Sequence, residues 1–409
     1  GVYVMVEGTR DGLRRLNELR SGGGVWNNKA VGISESRYYA AAGVDWLARN
    51  RGAFADDDGD TYNVALTGDG TVAVFLDDAD GDGNGAIQQI LMENTADKSK
   101  LNVSVRRARG AGDGAVNIGG IAAPELGGVT ARASDLTGKG LEVDEYLGGV
   151  TIRDILNGAW VVAGGQVAQK TNFSARLIDD DSRIQFGSQV TCFTAAQVGD
   201  AEIEAPGIGS LNIKGDRQAG LAGNLSADVT LNGDASLKFT LSRAKIAGGI
   251  ANSTWNIVSG KVGGMTVMGP AVNLTFWSAD DVRTLQFGRL VGSNIYVGIW
   301  PAFTAEPGSD DELPNTLAHF DDVKLTSLNV KGVRGDLPGT LDFVDSNVAA
   351  GLIVSVNISD ATFANGGRVF GFAADRIGRL SIKNPQLRQV NLRAPAQTIA
   401  DNDFRVLIL

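Results

Sequence analysis

The chain has 409 residues, a net charge of −10 and an isoelectric point near 4.8, a balance that argues against nucleic acid as a partner because phosphate binding needs clustered Lys and Arg. Apolar residues make up 43%, enough for a packed core and too much for a disordered chain, and no apolar run is long enough to span a bilayer. A lone cysteine, Cys192, excludes an intramolecular disulfide; in Val190-Thr191-Cys192-Phe193 it alternates like a strand residue and reads as a buried, inert thiol.

Residues 1–55 read as a small helical and β cap. Val2-Tyr3-Val4-Met5-Val6 is an apolar strand, Thr9 is placed as an N-cap, and Leu13, Leu16 and Leu19 mark one face of a short helix. A second helix, capped by Ser34 or Ser36, is expected through Tyr38, Val44, Trp46 and Leu47. A first residue of Gly1 is consistent with a processed, exported chain. Residues 56–109 read as a hairpin region, with Tyr62-Asn63-Val64-Ala65-Leu66 and Thr71-Val72-Ala73-Val74-Phe75-Leu76 flanking Thr67-Gly68-Asp69-Gly70.

From residue 110 to 409 a short phrase, apolar-Gly-x-apolar-x-apolar, takes over. It stands at Leu126-Gly127-Gly128-Val129, Leu147-Gly148-Gly149-Val150-Thr151-Ile152 and Ile208-Gly209-Ser210-Leu211-Asn212-Ile213. It returns at Val262-Gly263-Gly264-Met265-Thr266-Val267 and Ile377-Gly378-Arg379-Leu380-Ser381-Ile382. Each copy reads as a tight glycine turn feeding a short alternating strand, and the first two copies are one β-solenoid turn apart. Residues 301–322 break the pattern and read as a loop insertion. A second phrase, in Asn252-Ser253-Thr254, Gly292-Ser293-Asn294 and Asp345-Ser346-Asn347, places small polar residues before a strand, where stacked corners let Asn and Ser bond to neighbouring turns. The expected fold is therefore all-β, a right-handed parallel β-solenoid (β-helix) with a small N-terminal helical and β cap.

Several stretches resemble a family of large, exported, glycine-rich repetitive proteins of planctomycete-like bacteria. They are Leu66-Thr67-Gly68-Asp69-Gly70-Thr71-Val72, the acidic run at residues 77–85, Ala133-Ser134-Asp135-Leu136, and residues 147–159. Gly24-Val25-Trp26-Asn27-Asn28, Gly32-Ile33-Ser34 and Asp403-Phe404-Arg405-Val406 extend the likeness across residues 20–409. The resemblance implies export and solenoid architecture and supplies no catalytic residue.

The sharpest local signal is Asp78-Ala79-Asp80-Gly81-Asp82-Gly83-Asn84. Alternate carboxylates with a glycine at the sixth place match the start of a calcium loop, with Asp78, Asp80 and Asp82 as ligands of a structural Ca2+. Gln89 stands where a bidentate Glu would close an EF-hand, so a solvated acidic turn is the alternative. Asp56-Asp57-Asp58-Gly59-Asp60 is a second, weaker candidate. His319, Asp179-Asp180-Asp181 and Asp310-Asp311-Glu312 are the groups a hydrolase would draw on, but no Gly-x-Ser-x-Gly elbow accompanies them. Trp255, Trp277 and Trp300 read as core or flank packing or as a sugar-binding stripe, and the sequons at Asn102, Asn172, Asn224, Asn252, Asn273 and Asn357 as coincidence or glycosylation.

These features predict a non-enzymatic, extracellular or cell-surface protein that assembles with its own copies into a surface layer or filament through terminal β-strands. A cell-surface adhesin or carbohydrate-binding solenoid, with surface glycans as partners, is the alternative. A polysaccharide-degrading enzyme is the third reading.

Overall fold

A computed structural model describes residues 43–45, 51–78, 84–299, 313–314, 316–337, 339–393 and 397–409. The apolar strand at residues 2–6 and the helix through Leu13 lie outside the described residues. The protein is all-β with mostly parallel strand pairing, and it divides into two compact units, Gly1–Ser188 and Gln189–Leu409.

The first unit opens antiparallel. Thr61–Thr67 lies between Arg51–Ala55 and Lys100–Arg106, and Thr71–Asp77 lies between Gly43–Asp45 and Ala86–Glu93. The expected hairpin is thus a correction: both segments are strands, but Thr67-Gly68-Asp69-Gly70 turns the chain onto a different partner set instead of folding it back. The second expected helix is corrected at residues 43–45, the rest of it lying outside the described residues. Residues Gly43–Asp45 form a strand because the edge of Thr71–Asp77 satisfies their backbone groups, with Gly43 opposite Leu76 and Asp45 opposite Val74.

Beyond Val116 in this unit every ladder is parallel. Leu101, Val129, Val150 and Phe173 stand in register on successive strands, as do Ile121, Leu141, Val161 and Ile184, and all eight are buried. Alternation explains this: residues two apart share a face, so one apolar residue per rung builds a continuous inner column.

The second unit repeats the design. One column runs through Ile208, Leu241, Val262, Val282, Leu325, Ile353 and Ile377, all without exposed surface. A second runs through Val229, Trp255, Phe276, Ile295, Val348, Phe372 and Val406. Ile208, Leu211 and Ile213 all point inward, Leu211 and Ile213 by alternation and Ile208 across a break in parity at half-buried Gly209 and Ser210. Burial of one such side chain stabilises the fold by roughly 1.5–3 kcal/mol.

The glycine of the recurring phrase has a different reason from a turn. A Cβ at Gly209 would lie 2.7 Å from the Thr191 carbonyl oxygen, at Gly263 2.3 Å from that of Ser242, and at Gly378 2.6 Å from that of Val354. Close stacking on the rung below, not a special φ, excludes a side chain there. The second phrase does mark left-handed corners. Asn252, Gly292 and Asp345 have φ of 50°, 57° and 45°, and Ser293 N–H donates to Ser346 Oγ at 3.1 Å, the interturn bonding that the sequence suggests.

The last strand, Phe404–Ile408, lies inside its own sheet. It pairs in parallel with Phe370–Asn384 and antiparallel with Gln397–Asp401, with Phe404 and Val406 wholly buried. Of the two terminal strands expected to offer a contact, this one is paired on both sides, and the other, at residues 2–6, lies outside the described residues. Among the described residues the open edges at this end belong to Gln397–Asp401 and Leu387–Arg393, each recorded with a single partner strand. The described part of the insertion also packs down: Ile299 and Leu313 are buried with Tyr296, Ala349 and Ala373, and Phe320 and Trp277 flank them.

Candidate functional site

The turn after Arg51–Ala55 brings three carboxylates together. Asp56 N–H donates to the Asp60 carbonyl at 3.0 Å and Gly59 N–H to the Asp56 carbonyl at 3.1 Å, so the loop closes on itself. Asp60 N–H then donates to Asp56 Oδ1 at 2.8 Å and to Asp58 Oδ1 at 3.1 Å. Oxygens of Asp56, Asp58 and Asp60 all lie within 4.8 Å of one another.

A distant loop supports this turn. Buried Asp60 accepts the Ala108 N–H on Oδ1 at 2.6 Å and the Gly114 N–H on Oδ2 at 2.5 Å, and Asp58 Oδ2 accepts the Asp113 N–H at 2.9 Å. Arg107 Nε holds the loop by donating to the Gly112 carbonyl at 2.6 Å. A side chain at Gly112 would collide with Asp60, its Cβ falling 1.6 Å from Oδ1. Asp60 is therefore a clamp between two loops.

Burial pushes the Asp56 carboxyl up to about 7, reinforced by its hydrogen bond to Asp58. Asp58 is held below the usual carboxylate range by that same bond from Asp56, then by the backbone N–H groups of Asp113 and Asp60 and by the Arg107 charge. The pair thus shares a proton near neutral pH. Oxygen donors alone, closely spaced, are also the set a hard divalent cation takes in place of that proton.

Of the first calcium candidate, Asp78 is buried just after Thr71–Asp77, while Asp80 and Asp82 lie outside the described residues. Strands flank this loop, and Gln89 is buried within Ala86–Glu93. His319 is half-buried in the short 3-10 turn Leu317–His319. Asp180 and Asp181 sit exposed in a turn, Asp181 with a φ of 59°, and residues 310–312 lie outside the described residues.

Cys192 is half-buried and faces outward, with Phe193 taking the inward place; its Sγ lies 3.4 Å from Thr194 Oγ1. The buried-thiol expectation is corrected by that one-residue parity. Trp255 is wholly buried, its Nε1 donating to Ser253 Oγ at 3.0 Å, so it belongs to no surface stripe. Trp277 packs on Tyr296 with ring centroids 4.5 Å apart and the planes tilted by 40°, and Trp300 lies outside the described residues. All the sequon asparagines except half-buried Asn357 are exposed. No helix among the described residues is long and apolar enough to cross a membrane.

The chain matches no protein-family model, and no curated protein or solved structure is significantly similar to it.

Proposed function

We propose that the chain is an exported structural protein, a right-handed parallel β-solenoid with an N-terminal cap, that assembles with its own copies into a surface layer or extracellular filament. The carrying observation is the set of in-register columns, such as Ile208 to Ile377, which repeat one rung design strand after strand. Such a design grows along one axis, and each end of it is a template for another strand. The role is structural, not catalytic. The resemblance to exported glycine-rich proteins supports an extracellular or cell-surface location.

The contact we propose is strand addition at Gln397–Asp401. That strand carries no Lys, Arg or Pro, whereas neighbouring Leu387–Arg393 carries exposed Arg388 and Arg393, the usual guards of an edge. A lysine in place of exposed Ala400 is expected to reduce particle size in light scattering while leaving the melting temperature unchanged. Undiminished particles would rule this edge out. Calcium is proposed as a structural ion of the acidic turns, at Asp78, Asp80 and Asp82 and at Asp56, Asp58 and Asp60.

A second reading, glycan binding along the solenoid flank, is favoured by one observation. An outward row of the second unit, from Thr194 and Asn212 to Asn357 and Ser381, consists of hydroxyl, amide and lysine side chains.

A further inference from the structure

Eight parallel strands of the second unit, from Gln189–Ala195 to Phe370–Asn384, align two outward rows. The first holds only Thr, Asn, Lys, Gln and Ser, and is in register from Thr194 to Ser381. The second lies two residues earlier on each strand, from Cys192 to Arg379, and holds only Cys, Ser, Arg, Gly and Thr. Neither row contains an Asp or Glu, in a chain whose net charge is −10.

Arg243, Lys245 and Arg379 rise from these rows, exposed, and among the described residues none is joined to an acid. Exposed Lys214, Lys331 and Lys383 follow the last inward residues of their strands, along the same margin. Acids of the unit lie off these two rows: Glu202, Glu204 and Asp228 are on other strands, Asp375 precedes Arg379 on its own strand, and Asp336 and Asp360 stand beside Lys331 and Lys383. The two rows themselves are therefore free of negative charge, and the acids stand at their margins.

The polar groups between the cations are fixed. Asn212 Nδ2 donates to Ser210 Oγ at 2.8 Å, Asn329 Nδ2 to Ser327 Oγ at 2.9 Å, and Asn357 Nδ2 to Asn329 Oδ1 at 3.2 Å. A ligand meets a surface already ordered, with little side-chain entropy left to lose. The strands of Lys245 and Arg379 are five ladder steps apart, roughly 24 Å at about 4.8 Å per step. A ligand that touches both must be extended along the stack.

We propose that this face binds an extended anionic polysaccharide, one bearing carboxylate or sulfate groups, with Arg243, Lys245 and Arg379 pairing with its charges and the Ser, Thr and Asn rows with its hydroxyls. The proposal rests on the glycan-binding reading above and adds the charge of the ligand. Neither row carries Phe, Tyr or Trp, so the face lacks the stacking platform that single-stranded nucleic acid uses and the wedge that inserts into a lipid surface.

The test measures binding of polygalacturonate and heparin to the full chain at low salt, beside neutral dextran, DNA and anionic phospholipid vesicles. Polygalacturonate or heparin is expected to bind, with affinity falling as salt rises. The triple variant Arg243→Gln, Lys245→Gln, Arg379→Gln is expected to lose about tenfold or more and to show a shallower salt dependence. The charge-keeping variant Arg243→Lys, Lys245→Arg, Arg379→Lys should retain binding, and Lys98→Gln, Lys100→Gln, Arg132→Gln in the first unit should leave it unchanged; matching melting curves show that each variant is folded. Equal binding of dextran would overturn the charge assignment and leave the glycan reading standing. Preference for DNA or vesicles, or no binding of either polyanion, would overturn the proposal.

Discussion

Asn273 donates its side-chain amide to Asn252 Oδ1 at 2.8 Å, and both residues hold left-handed backbone, at φ 52° and 50°. The next rungs continue this corner with Gly292 and Asp345, whose neighbours Val291 and Val344 are register partners. Asn, Gly and Asp tolerate this backbone region; β-branched residues do not. Asn273→Val is therefore expected to destabilise the second unit by about 1–3 kcal/mol, from backbone strain and the lost amide bond. Asn273→Gly should cost less, because it keeps the backbone and loses only the bond. Thermal melts of the two variants compare them directly, and equal melting temperatures would refute the corner argument.

Gly148 and Gly149 form an internal control within one phrase. A Cβ at Gly148 would lie 2.6 Å from the Gly127 carbonyl oxygen, while one at Gly149 meets only the Asn172 carbonyl oxygen at 3.5 Å. Gly148→Ala is expected to lower stability by about 1–3 kcal/mol, as overpacking does, and Gly149→Ala to change it by less than about 1 kcal/mol. Chemical denaturation measures both; a reversed order contradicts rung stacking as the reason for the phrase.

Asp56 gives a pH signature. Its carboxyl stands near 7 in the fold against 3.8 unfolded, so the folded state holds a proton that the unfolded state releases. Its contribution to stability is present at about pH 4 and is lost as pH rises towards 7. Asp58, held low, has the opposite sign but acts below 3.8, outside this window. Asp342, raised first by burial and then by the Asp360 charge, adds to the same fall. The difference between the parent chain and Asp56→Asn across pH 4–7 isolates the Asp56 share, and identical melting profiles would show that it has none.

Calcium should act on the same turn. Above pH 7, where Asp56 ionises, added Ca2+ is expected to raise the melting temperature and a chelator to lower it, and Asp58→Asn should remove this turn's share of the response. Asp80→Ala reports separately on the loop of Asp78, Asp80 and Asp82. A melt indifferent to calcium and chelator leaves both as acidic turns.

Phe404 ties the final strand into the core, with ring centroids 4.6 Å from Phe363 and 5.6 Å from Phe370. Phe404→Ala is expected to cost about 3–5 kcal/mol. Removing residues 404–409 should lower the melting temperature as well; an unchanged melt would mean that the strand is dispensable to its own sheet.

The strands were legible because alternation is local: Leu211 and Ile213 declare their inward face within one phrase. Trp255 could have been placed the same way, since it shares parity with Ile257, another inward residue. Pairing was less legible. Nothing in Thr67-Gly68-Asp69-Gly70 reveals that the flanking strands choose different partners, and the Gly43–Asp45 strand forms only because a distant edge is present. The Asp60 clamp depends on Ala108 and Gly114, far along the chain, and the acid-free rows exist only once register aligns residues from eight strands. Local rules reach the rung; long-range register makes the surface.

Electron microscopy of the purified full chain tests the central claim of self-assembly most directly. Ordered filaments or sheets should appear as concentration rises and shorten or vanish with Ala400→Lys. Single particles of monomer size at every concentration, from a chain that melts cooperatively, would contradict it.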